Sequence, residues 1–262
     1  MSGIEQALQK NTLQEKRSGL LKLSRELGRQ ELSLAILGEG NVSARLGEDT
    51  LIVKASGCSL ATLQEQDLVH CNMKPLLPLL DKMDLTDEEI ERALLACRID
   101  TKSQKPSIET LFHVYLLGLT GVEFIAHTHP QTVNQILCSP MARDFAEHRL
   151  CPDQIVYCGV ASVFVPYTDP GLPLARAIRA QTESFLSRYQ DSPQTVLLEN
   201  HGLIALGRTA QAVLAATLMM EKSARIFVGA ASLGGPKFLD DVSARRIARR
   251  PDEEYRRHLA QS

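Results

Sequence analysis

His127 and His129 stand two residues apart in Val122-Glu123-Phe124-Ile125-Ala126-His127-Thr128-His129-Pro130, a segment that reads as a buried strand closed by proline. Strand side chains alternate, so both imidazoles project from one face, with Cα atoms about 7 Å apart. Two such rings can converge on one cation; hydrogen-bonded histidines at a strand end are the other reading. His201 is a third candidate, in Glu199-Asn200-His201-Gly202, a polar quartet between the apolar runs Val196-Leu197-Leu198 and Leu203-Ile204-Ala205-Leu206. Taken alone, that quartet reads as a hairpin turn rich in turn-forming residues. Glu109 is the fourth, in Pro106-Ser107-Ile108-Glu109 at the start of a predicted helix, where any carboxylate gains from the helix dipole. His113 lies four residues further on the same helical face and makes Glu109–His113 an alternative ligand pair. Three neutral imidazoles with a carboxylate suit Zn²⁺, or another divalent ion such as Mn²⁺, Co²⁺ or Fe²⁺. A carboxylate able to leave the metal would double as an acid or base.

The elements that must carry these groups follow from hydrophobic period and turn residues. Helical spacing of leucines covers about Ile4 to Leu34. A turn at Gly38-Glu39-Gly40-Asn41 leads into a hairpin of Val42–Leu46 and Thr50–Lys54, and a third strand is expected over Leu68–Asn72. Lys74 to Asp84 reads as irregular. Thr86 and Glu89 form a capping box before a helix to Cys97, and Pro106-Ser107 opens one to about Leu117. After the Val122–Thr128 strand come a helix from Gln131 to Leu137 and strands at Gln154–Tyr157 and Ser162–Val165. A helix over Leu174–Tyr189, strands at Thr195–Glu199 and Gly202–Leu206, and a long helix over Thr209–Ala230 complete the pattern. With no internal repeat and no long linker, one domain with a mixed sheet covered by helices is expected over 1–262, its core about 20–231 and a helical tail about 237–262.

Composition bounds the partners. The 262 residues hold 29 basic and 31 acidic side chains, a net charge of −2, and 44% apolar residues. That balance excludes a disordered chain and removes the electrostatic case for nucleic-acid binding. No apolar run reaches the roughly 20 residues a membrane span needs, and the first residues lack the order of a secretory signal. Six scattered cysteines without a Cys-x-x-Cys pair argue against a disulfide scaffold or zinc ribbon and suit a reducing cytoplasm. Arg245, Arg246, Arg249 and Arg250 read as a solvated helix face.

Five motifs in order, Gly40-Asn41-Val42-Ser43, Lys54-Ala55-Ser56-Gly57, Pro106-Ser107-Ile108-Glu109, His127-Thr128-His129 and Asn200-His201-Gly202, make the chain resemble the class II aldolase/adducin family from about Leu20 to Ala231. The Lys-Ala-Ser-Gly form is similar to the aldolase halves of fused aldolase–dehydrogenase proteins, and no dinucleotide-binding glycine fingerprint occurs in these residues. The resemblance implies an α/β/α layered fold around a largely antiparallel mixed sheet, and a homotetramer with sites at subunit contacts. It implies that His127, His129 and His201 bind a divalent metal and that Glu109 serves as both metal ligand and catalytic acid/base. It assigns substrate binding to Gly40, Asn41, Ser56, Gly57 and Ser107, with Lys54 as a point charge for a phosphate. Two residues depart from the family: Ile108 stands where many sugar-phosphate members have a second serine, and Glu39 puts a carboxylate where small neutral residues are common. A catalytic tyrosine, often given across the subunit contact, is matched nearest by Tyr157 and less well by Tyr167. The implied activity is a metal-dependent lyase cleaving a ketose or ketose phosphate through a metal-stabilised enediolate. Related 4-epimerase, decarboxylase and dehydratase reactions, and a non-catalytic adducin-like binding module, are the alternatives.

Overall fold

The computed structural model describes residues 3–253 and 255. It opens with helix α1 (Gly3–Leu27), followed by strands β1 (Asn41–Arg45), β2 (Thr50–Lys54) and β3 (Leu68–Asn72). Helices α2 (Asp87–Ala96) and α3 (Thr110–Leu116) precede β4 (Phe124–Thr128). Three short helices follow: α4 (Gln131–Leu137), α5 (Ala142–Glu147) and α6 (Pro152–Cys158). Then come β5 (Val163–Val165), α7 (Leu172–Tyr189), β6 (Thr195–Leu198), β7 (Gly202–Gly207), α8 (Ala210–Ala231) and α9 (Asp241–Ala248). The strands form one seven-stranded sheet in the order β3-β2-β1-β4-β7-β6-β5, and only the β5–β6 pair is parallel.

Alternation along the strands splits the core into two layers. Val42, Ala44, Ile52, Phe124, Ala126 and Ala205 pack under Leu20, Leu23 and Leu27 of α1 and Val213 and Ala216 of α8. On the same side, Leu197 and Leu203 meet α4, α5 and α8. Val53, Val69, Ile125, Val165, Leu198 and Ile204 face α2, α3 and α7 on the other side. The result is the expected α/β/α sandwich.

Three local expectations need correction. Gln154–Tyr157 is the middle of helix α6, not a strand. Pro152 occupies its first turn, Ile155 packs with Ala244 and Ile247 of α9, and contact with α8 covers the inner side. Tertiary packing on two faces overrides the strand preference of Ile and Val. Pro106 does not open α3; it pairs with Ala55 in an isolated bridge, and the helix begins at Thr110. Within the irregular Lys74–Asp84 stretch, Leu77–Leu80 forms a 3₁₀ turn. The predicted tail is helical in α9, and residues 254 and 256–262 of it lie outside the described residues.

Candidate metal centre

The site forms at the sheet end where β4 finishes and β7 begins. Asn41 and Ser43 on β1 and His127 on β4 lie on the face covered by α3, since Asn41 is in register with His127 and Ser43 with Ile125. His129 follows the last β4 residue by one position, and His201 sits in the tight β6–β7 turn, where Asn200 takes a left-handed φ of 54°. The three rings meet: His127 Nε2 lies 3.0 Å from His129 Nε2 and 3.3 Å from His201 Nε2. One ring nitrogen from each falls within 4.8 Å of the others. Glu109 Oε1 is 3.6 Å from His127 Nε2 and 3.5 Å from His201 Nε2. All four predicted ligands are therefore brought together, and His113 is not among them.

Close backbone approach makes this convergence possible. A Cβ on Gly202 would lie 2.6 Å from the Thr128 carbonyl oxygen and 2.9 Å from His129 Cδ2. Gly40 holds φ +66°, and a Cβ there would lie 2.5 Å from the His127 carbonyl oxygen. Neither position has room for a side chain.

The rings are held and kept neutral by their surroundings. His127 Nδ1 donates to the Leu203 carbonyl at 3.1 Å, which turns the Nε2 lone pair toward the other rings. Its pKa lies well below the ordinary value, first through burial and then through His129 and His201. Burial and His129 bring His201 down to about 4. Burial also lowers His129, opposed by Glu39, whose Oε1 is 3.7 Å from His129 Nδ1. Glu39 also accepts from the Ile36 N–H, so the carboxylate that departs from the family pattern lies behind a metal-ligand candidate. Neutral imidazoles with converging lone pairs are the ligand form of histidine, and with one oxygen donor they fit a borderline divalent ion.

Glu109 is fixed by a relay that sequence reasoning missed. Ser43 Oγ donates to His113 Nδ1 at 2.7 Å, His113 Nε2 donates to Asn41 Oδ1, and Asn41 Nδ2 donates to Glu109 Oε2. His113 is fully buried and lowered to about 3 by that burial, so it stays neutral and supplies one donor and one acceptor. The relay holds Oε2 and leaves Oε1 toward the rings. Burial pushes Glu109 up to about 7, against the Asn41 hydrogen bond and the Lys54 charge. The i, i+4 spacing of Glu109 and His113 and the Ser43 of the first motif were visible signals; what hid the relay was that it crosses from α3 to β1.

Of the predicted substrate-binding residues, Gly40, Ser56, Gly57 and Ser107 lie in adjoining loops at this end. Gly38 abuts Gly57, the Ser56 N–H donates to the Lys105 carbonyl, and Ser107 Oγ accepts the Glu109 N–H. Ser56 and Gly57 are exposed. Two others are placed differently. Both ends of the Asn41 amide are engaged by His113 and Glu109. Lys54 is 2% exposed, with Nζ donating to the carbonyls of Cys58 at 2.6 Å, Gly38 at 3.4 Å and Ala55 at 3.5 Å. Its three donors tie the two glycine loops together instead of facing a ligand. Tyr157 lines a cavity with Thr120, Gly207 and Arg208, at the opposite end of β4 and β7 from the histidines. Tyr167 is at the site end of the sheet, 58% exposed, its N–H on Glu199 and its hydroxyl on Asp169.

The family model described as Class II Aldolase and Adducin N-terminal domain matches residues 18–228. Among curated proteins, the chain is 29% identical over 199 residues to the uncharacterized oxidoreductase YuxG of Bacillus subtilis (strain 168), covering 73% of this chain. It spans about a quarter of that relative's length, 26%. Among solved structures it is similar to an L-fuculose 1-phosphate aldolase, with a TM-score of 0.67 at 18% identity, covering 92% of this chain and 96% of that one. A sugar-phosphate aldolase from Thermotoga maritima gives a TM-score of 0.65 at 17% identity, covering 86% and 98%.

Proposed function

The chain belongs to the class II aldolase and adducin N-terminal domain family, and from that premise we propose that it is a divalent-metal-dependent aldehyde-lyase that cleaves a ketose or ketose phosphate by retro-aldol chemistry. The observation that carries this reading is the meeting of three neutral imidazole nitrogens within 4.8 Å, with a buried carboxylate alongside. His127, His129 and His201 would hold the ion, Zn²⁺ before Mn²⁺, Co²⁺ or Fe²⁺, with Glu109 as a further ligand. A divalent ion there supplies a Lewis acid that polarises the substrate carbonyl and stabilises the negative charge developing as the adjacent carbon–carbon bond breaks.

The protein's own groups do the rest. Glu109 Oε1 exchanges a proton with the carbon next to the carbonyl, and its pKa near 7 lets it hold and release that proton at neutral pH. Asn41 anchors the other oxygen so that the lone pair is aimed. Ser56, Gly57 and Ser107 bind the distal end of the substrate with hydroxyl and backbone donors, and Lys54 supports them from beneath. Tyr157 serves a site only from a second copy of the chain. In favour of that, it shares a cavity with Ala215, Leu218, Met219 and Lys222 on the outer side of α8, and Leu218, Ile226 and Val228 are exposed apolar residues of that helix. We therefore include a homotetramer in the proposal. The proposal also includes a cytoplasmic location, which six scattered cysteines suit, and a role in carbohydrate metabolism, which follows from the ketose chemistry proposed.

The test is to strip the metal with a chelator, verify its removal by elemental analysis, and measure aldehyde release from a panel of ketoses and ketose phosphates before and after adding back each ion. Full turnover in metal-free protein ends the proposal. Epimer, CO₂ or water as the product in place of aldehyde moves the chain to the related epimerase, decarboxylase or dehydratase chemistry on the same centre. Neither bound metal nor turnover leaves the adducin-like binding module.

A further inference from the structure

A cavity of about 810 Å³ opens directly beside His129, between the loop that leads into β1 and helix α4. The loops carrying Ser56, Gly57 and Ser107 do not line it, so it is a second flank of the metal centre. Four carboxamides face it, Gln30, Gln131, Asn134 and Gln135, together with Glu39 and His129. Among the described residues lining it there is no lysine or arginine, and Glu39 is the one carboxylate. Away from the metal itself, an anionic group entering here meets that carboxylate with no basic side chain to offset the repulsion. Carboxamides both donate and accept, which matches hydroxyl groups that do the same.

Asn134 Nδ2 donates to the His201 carbonyl at 2.9 Å, so this wall of the cavity is held against the turn that carries His201.

We propose that this cavity receives the uncharged, hydroxyl-bearing arm of the substrate and turns away arms that end in carboxylate or phosphate. The assignment rests on the metal-centre reading, because the shared His129 is what joins the cavity to the reacting end of the substrate.

The experiment uses zinc-loaded protein and two hydroxamates with the same metal-chelating head: 4-hydroxybutanohydroxamate, with an alcohol tail, and succinomonohydroxamate, with a carboxylate tail. Calorimetry reads their affinities for the wild type and for Gln135→Lys, an exposed position that tolerates the change. The alcohol tail is expected to bind the wild type at least about tenfold more tightly, about 1.4 kcal/mol. Gln135→Lys is expected to strengthen the carboxylate tail by at least about tenfold relative to the alcohol tail, since it adds a cation and removes one of the carboxamides that pair hydroxyls. Equal affinities, a preference for carboxylate, or a lysine variant that moves neither tail overturns the cavity assignment while leaving the metal centre standing. A wild type that holds no zinc overturns the metal reading, and the cavity assignment with it.

Discussion

In the proposed lyase Glu109 would accept a proton and give it back, and its position explains how one carboxylate can be both aimed and basic near neutral pH. Burial raises it to about 7, while the relay from Ser43 through His113 and Asn41 fixes one of its oxygens. Glu109→Gln keeps the shape and removes the proton carrier. Turnover is expected to fall about 10²- to 10⁴-fold, the range for a general acid–base group, while elemental analysis still finds zinc on the three histidines. Retained turnover would move the proton transfer to another residue. His113 gives a second expectation, in pH. Its folded pKa of about 3 lies below the unfolded value of 6.5, so the unfolded chain binds more protons between them. His113 thus contributes stability that is complete above pH 6.5 and is lost as pH falls toward 3. Glu109 acts with opposite sign, since its raised pKa costs the fold stability as pH climbs from about 4.5 to about 7. Urea midpoints of metal-free protein, followed from pH 7 down to pH 4, are expected to fall less steeply in His113→Gln than in the wild type. Parallel curves would mean that His113 does not titrate with unfolding. The four side chains that converge were candidates in the sequence, because strand period and short motifs single them out. The relay was not, because Asn41 reads as part of a substrate pocket, and Ser43 only as the end of a motif, until β1 is laid beneath α3.

Helix α4 links residue and element. It begins straight after His129, and it holds both histidine loops: Asn134 bonds the His201 carbonyl, and the Asn200 N–H reaches the Leu137 carbonyl. Its first turn is capped from outside by Glu221 of α8, 4% exposed, which accepts from Thr132 Oγ1 at 2.5 Å and the Val133 N–H at 3.2 Å and pairs with Arg225 at 3.0 Å. A negative charge at a helix N-terminus satisfies unpaired N–H groups and the dipole together. Glu221→Ala is expected to cost about 1–3 kcal/mol in stability through those orphaned donors. It should also weaken zinc binding by roughly tenfold, the lower end of the effect of losing a supporting group. Competition with a chromophoric chelator reads the affinity, and Glu221→Gln, which still accepts hydrogen bonds, should recover most of it. Unchanged affinity in the alanine variant would show that α4 does not need the cap to place His129. The sequence marked α4 itself through Pro130 and the helical run after it, but not the cap, which lies about ninety residues away on another helix. Helix α6 was misread for a related reason: Ile155 and Val156 carry strand preference, and only the α8 and α9 surfaces on either side make a helix the better way to bury them.

At the scale of the molecule, the four proposed ligands come from β4, the turn after it, the β6–β7 turn and the start of α3, so an ion bound among them would join segments up to 92 positions apart, from Glu109 to His201. Apart from the metal, these segments are held by sheet register and by α3 packing on β4, and the unfolded chain has no comparable cluster of nitrogens. An ion that binds only the folded form stabilises it by about 2.7 kcal/mol when its free concentration is 100 times its dissociation constant. For a chain of this size each kcal/mol is worth about 2–4 °C. Adding zinc at that excess to metal-free protein should therefore raise Tm by about 5–10 °C. The shift should be saturable, larger at neutral pH than at pH 5, where Glu109, raised to about 7, carries a proton, and absent in His201→Ala. His201 suits this control because it is 15% exposed in a turn between strands, so its truncation removes a ligand with little loss of core packing. A shift of equal size in the variant would mean that zinc stabilises the fold from somewhere else, and the three converging rings would then be an internal hydrogen-bonded cluster.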